Sequence, residues 1–167
     1  MEIFQTIWTA LTTPNELLIN ITGLFLCFFE GFINMLLFTT IFDLKASTKE
    51  KIFYVVLVST CAFITRIAFP DPYGTFINII LTFILIKFIF KTTILKSIFS
   101  IFIPLCINII LELFLLKFYQ KILHIPYDYV MTIPIYRLLL ASSIYICSFI
   151  IYRLIKYFKF NVNLDFM

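Results

Sequence analysis

The chain has 167 residues, of which 62% are hydrophobic and only 13% charged, against about 45–50% apolar and about 25% charged in soluble domains. With a mean hydropathy of +1.07, this excludes a water-soluble globular domain and leaves an integral membrane protein. The net charge of +4 does not point to nucleic acid, because the lysines stand beside apolar runs and serve as headgroup anchors.

In chain order, residues 1–17 place Ile3, Phe4, Ile7, Trp8 and Leu11 on one face. They predict a short interfacial helix that ends near Pro14, with Trp8 at headgroup depth. A membrane domain over 18–160 and a short cytoplasmic tail over 161–167 complete the expected organisation. The fold class is an all-α bundle of about five transmembrane helices.

The first span is expected over 18–42, where Asn20, Gly23, Cys27, Glu30, Gly31 and Asn34 form a small and polar face suited to close helix packing. The lysine-rich loop DLKASTKEK follows, then a second span over 52–69 with Arg66 near its far end. Pro70, Asp71, Pro72 and Gly74 predict a tight turn. A third span covers 75–90, with Thr75, Asn78 and Thr82 on one face.

The fourth span is the most informative. Lys96 and Lys117 bracket twenty residues whose one full charge is Glu112, the length of a membrane-crossing helix. Lys96, Ser100, Pro104, Asn108 and Glu112 recur every four positions and so share one helical face. A carboxylate facing lipid costs roughly 2.5–3.5 kcal/mol on insertion scales, so this stripe is expected to face other helices. Residues 118–133, with the single His124 and with Asp128, read as an interfacial segment, and a fifth span covers 135–157. Pro126 between His124 and Asp128 argues against a helical ligand pair, and His124 reads as a surface residue.

Five spans put Lys45, Lys49, Lys51, Lys87, Lys91, Lys96, Arg153, Lys156 and Lys159 on one side, nine of the 13 basic residues. The positive-inside rule then makes the N-terminus external and the C-terminus cytoplasmic. Glu30, Arg66, Asn78, Asn108 and Glu112 fall in the middle or the outer half of their spans. Arg66 is expected to pair with Glu112 or Glu30, with Asn78 and Asn108 completing the hydrogen bonds, because an unpaired charge is costly there. These five residues are the candidate ligand-binding network. Pro104 is a candidate hinge, since it removes one backbone hydrogen bond in mid-span.

Other chemistry is excluded by what is missing. Cys27, Cys61, Cys106 and Cys147 all lie inside apolar runs with no C-x-x-C, and read as packing residues rather than metal or redox ligands. With 3 glycines and no phosphate-binding, zinc-protease or nucleophile-elbow motif, no cofactor, metal or catalytic residue is expected.

The stretches FFEGFINMLLFTTIF, ITRIAFPDPYGTFINIIL and LIKFIFKTTILKSI, with the glutamate of NIILELFLLK, resemble a known family. It is the N-terminal membrane sensor region of GHKL-type sensor histidine kinases, the accessory-gene-regulator-like receptors of low-GC Gram-positive bacteria. The resemblance spans roughly residues 1–160. It implies a multi-pass cell-membrane protein of such a bacterium that receives an extracellular peptide or small-molecule ligand. Partners would be the lipid bilayer and a second copy or a full-length kinase. The sequence stops at Met167 with no phosphoacceptor or ATP-binding motif, so an input domain without its own output is expected. A small transport or substrate-binding subunit is the alternative. A membrane peptidase would need a cysteine and a histidine side by side, which the spacing of Cys106 and His124 does not favour.

Overall fold

Hydrocarbon offers no water to backbone amides, so apolar runs that enter it must satisfy their hydrogen bonds internally, as helices. A computed structural model describes residues 2–13, 16–70, 72–122 and 124–162. It contains α1 (Glu2–Thr12), α2 (Glu16–Ile41), α3 (Thr48–Ala68), α4 (Tyr73–Ile89), α5 (Ile94–Ile122), α6 (Tyr127–Thr132) and α7 (Pro134–Tyr157), and no strand among the described residues. Four helices are long and apolar enough to cross a membrane (the Ile21–Ile41 part of α2, then α3, α5 and α7), and α4 is a shorter apolar helix. The chain is an all-α membrane bundle. Large apolar side chains such as Phe25, Phe29, Phe76, Ile110 and Phe114 cover its outside, as a lipid-facing surface requires.

Helix boundaries follow local chemistry. Ser47 caps α3 with a reciprocal box: its hydroxyl accepts from the Glu50 N–H at 3.3 Å, and its own N–H donates to Glu50 Oε2 at 2.7 Å. This starts α3 four residues before the expected span. Pro134 opens α7 at a first-turn position, where its missing N–H costs nothing. The 17 residues of α4 extend about 25 Å, near the lower limit for crossing a hydrocarbon core of about 30 Å.

The end of α5 also differs from expectation. Residues 118–122 belong to α5, which runs unbroken for 29 residues, about 43 Å. Tyr119 explains the extension. It is buried, and its hydroxyl meets Ser143 Oγ at 2.8 Å and the Leu139 carbonyl at 3.2 Å, tying the end of α5 to α7. Only α6, six residues long, remains of the expected interfacial segment. Pro14 and Asp71 of the expected turns, Leu123, and 163–167 of the expected tail lie outside the described residues, as does the Asn20 side chain.

The helices form a ring, α2–α3–α4–α5–α7, closed by α7 against α2, with α5 also touching α2 across it. α1 and α6 pack on α7. Successive helices run in opposite directions. The end of α2, the first half of α3, the end of α4, the start of α5 and the end of α7 meet in one apolar cluster around Phe38, Tyr54 and Ile86. A 2.7 Å bond from the Val162 N–H to the Ile41 carbonyl joins the ends of α2 and α7 there. The same end carries the nine basic residues named above.

A polar cavity at the opposite end

Away from the basic end the ring is hollow. Residues of α2, α3, α4, α5, α6 and α7 line an open cavity of about 520 Å³. Its wall carries two arginines, Arg66 and Arg137, two glutamates, Glu30 and Glu112, and the polar residues Thr75, Asn108 and Tyr145.

Glu30 and Arg66 face each other because α2 and α3 are antiparallel neighbours. Arg66 Nη2 donates to Glu30 Oε2 at 3.3 Å, and Nη1 lies 3.4 Å from Cys27 Sγ. Close packing of the two helices sets this approach. A Cβ on Gly31 would stand 2.8 Å from Ser59 Oγ, and that hydroxyl donates to the Cys27 carbonyl at 3.0 Å. The pair is not sealed in the core, since its side chains remain 47% and 34% exposed. A pair so open stabilises by about 1 kcal/mol at most, so it shapes the cavity more than it holds the bundle together.

The stripe on α5 faces inward. Ser100 and Pro104 are buried, and Asn108 and Glu112 are half-buried. Asn108 links three helices: its amide donates to Asn34 Oδ1 at 3.0 Å, and its carbonyl accepts from Ser148 Oγ at 3.1 Å. On α7, the Tyr145 hydroxyl donates to the Leu26 carbonyl of α2 at 3.0 Å.

Below the open cavity lies a chamber of about 90 Å³ that shares Cys27 and Glu30 with it and is lined by Asn34, Asn78, Thr82, Ser100 and Pro104, among others. Asn78 Oδ1 and Ser100 Oγ are buried there without a hydrogen-bond partner among the described residues. Pro104 has no N–H to return to the Ser100 carbonyl four residues back. Leaving such groups unsatisfied costs roughly 1–3 kcal/mol each, and the chamber accommodates about three water molecules able to bond them.

Glu30, Arg66, Asn108 and Glu112 line the open cavity and Asn78 lines the lower chamber. Arg66 pairs with Glu30, one of its two expected partners, and the expected roles of the two asparagines are corrected. Asn108 bonds Asn34 and Ser148, not the ion pair, because α5 faces α2 and α7 at that level. Asn78 does not complete the ion-pair network; its carbonyl faces the lower chamber. Pro104 sits inside a continuous α5. Three contributors were not singled out from sequence: Arg137, Tyr145 and Ser148. They share one face of α7 but lie eight and three residues apart, so the four-residue repeat that revealed the α5 stripe does not pick them out. His124 is exposed, and its φ of 53° places it in the left-handed region just after α5.

No protein-family model matches this chain, and neither curated proteins nor solved structures give a match.

Proposed function

We propose that the chain is a membrane-embedded, ligand-receiving sensor domain of the histidine-kinase type, as its resemblance to the GHKL receptors implies. In this reading the hollow end is external, the basic end is cytoplasmic, and α7 carries the signal to the segment after Tyr157. The observation that carries it is the cavity: four ionisable side chains, drawn from α2, α3, α5 and α7, on one open wall. Ionisable groups within spans are costly and are typically kept for function, and a volume of 520 Å³ lies within the range of ligand pockets, about 300–1,000 Å³.

Gly23 provides the test. It lines the cavity, and a Cβ placed on it meets nothing within 4 Å, so Gly23→Leu directs an apolar side chain into the cavity from a position where its Cβ meets no neighbour. A cytoplasmic kinase module fused after Lys159 should autophosphorylate in response to conditioned medium or secreted peptides. Gly23→Leu should abolish the response at unchanged expression. A response that Gly23→Leu leaves intact removes the cavity from the mechanism.

A second reading is a small transport or substrate-binding subunit. It draws on the lower chamber, where polar groups and Pro104 within the continuous α5 carry the cavity toward mid-bundle, the level at which transporters hold their substrates. Solute uptake that requires Asn78 and Ser100 would favour it.

A further inference from the structure

The cavity wall holds two charges of each sign but one ion pair among the described residues. Arg66 and Glu30 neutralise each other. Arg137, in the first turn of α7, and Glu112, in the outer half of α5, are both half-buried on the same wall. Neither side chain has an ion pair or a hydrogen bond among the described residues. Each carries a charge whose burial in a span is expensive, and together they are complementary to a molecule bearing both signs. The same lining includes the apolar side chains of Phe63, Ile67, Leu140 and Ile144.

We propose that this cavity binds a small zwitterion with an apolar substituent. The anionic group would sit on the Arg137 guanidinium, which favours two parallel hydrogen bonds to a carboxylate or phosphate. The primary ammonium would sit on the Glu112 carboxylate, and the substituent against apolar side chains of the lining such as Leu140 and Ile144. The proposal rests on the reading of the cavity as a ligand site. Free amino acids, short linear peptides and ethanolamine phospholipid headgroups share this chemistry.

The test uses the full chain in phosphatidylglycerol nanodiscs. Leucine and Leu-Leu are titrated by a thermal-shift or thermophoresis assay, alongside their N-acetylated, C-amidated and doubly blocked forms. A parallel set of discs contains phosphatidylethanolamine. The free-ended compounds should bind, and blocking either end should weaken binding at least tenfold. Glu112→Gln should erase the penalty for acetylation alone, and Arg137→Gln the penalty for amidation alone. Both pairs of preferences require a folded protein, so a misfolded variant cannot mimic them. Gly23→Leu should abolish binding of every compound. Binding only in the absence of phosphatidylethanolamine identifies the headgroup as the competing zwitterion and supports the proposal. Doubly blocked compounds that bind as tightly as free ones, yet lose binding in Gly23→Leu, overturn the zwitterion and keep the ligand site. Failure of every compound in both disc types also overturns the zwitterion. A kinase fusion that still responds to conditioned medium would then show that the site itself stands.

Discussion

The two ends of the bundle are built from the same helices and solve opposite problems. At the basic end Phe38, Tyr54 and Phe90 pack edge-to-face with ring centroids 5.3–5.4 Å apart, and Phe38 is 1% exposed. At the other end α2, α3, α5 and α7 hold four charges around an open space. Lipid is as apolar as a leucine side chain, so burial from lipid supplies little, and close van der Waals contact must hold the helices together. The difference between the ends is therefore one of packing density. Stability is concentrated where the aromatic rings interlock, which frees the far end to keep costly groups.

Phe38→Ala should show the largest effect. Phe→Ala in soluble cores costs about 3–5 kcal/mol, a transfer part plus a cavity part. Here the transfer part largely vanishes, and we expect a loss of about 2–4 kcal/mol, read by unfolding in mixed micelles. A loss below that at Phe38 would mean that the basic end does not anchor the bundle.

Overpacking should come next. A Cβ on Gly74 would stand 2.8 Å from the Thr65 carbonyl oxygen and 3.1 Å from that of Phe69. These are backbone atoms, so Gly74→Val must push α4 away from α3, at about 1–3 kcal/mol. Gly23→Leu, at the open position on α2, should leave stability within about 0.5 kcal/mol. Equal losses at the two glycines would show the cavity to be less open than its walls imply.

Arg66→Gln should cost below about 1 kcal/mol, because its partner Glu30 stays partly solvated, while ligand response is altered. A loss as large as that of Phe38→Ala would make the ion pair, and not the aromatic cluster, the anchor.

This contrast also explains what the sequence made legible. The α5 stripe could be read because Ser100, Pro104, Asn108 and Glu112 repeat every four residues in a helix otherwise made of Ile, Leu and Phe. The basic end could be read from charge counting alone. Partner choice could not. Whether Arg66 meets Glu30 or Glu112 depends on which helices are neighbours, and α3 abuts α2 and α4, a fact no spacing encodes. The role of Arg137 was hidden for a similar reason: at the start of a span it reads as an interfacial anchor until α5 and α7 are placed side by side. The end of α5 was masked by Tyr119 and Lys121, whose polarity resembles a helix exit but whose backbone continues, because Tyr119 is bonded to α7.

The smallest expected effect compares the ends at the level of single backbone angles. Lys159, after α7 at the packed end, has φ 51°, and His124, after α5 at the hollow end, has φ 53°. The left-handed region costs a non-glycine residue roughly 1–2 kcal/mol. Lys159 is held there by the bonds from the Phe160 N–H to the Ile155 carbonyl, 3.0 Å, and from its own N–H to the Lys156 carbonyl, 3.3 Å, the pattern that usually ends a helix on glycine. Glycine removes the strain but loses more chain entropy on folding, by about 0.5–1 kcal/mol, so Lys159→Gly should gain up to about 1 kcal/mol. If the cost is purely local, His124→Gly should gain the same amount in the same unfolding assay. A gain at Lys159 with a loss at His124 would mean that the imidazole contributes to the hollow end, and the mouth of the cavity would then extend to the close of α5.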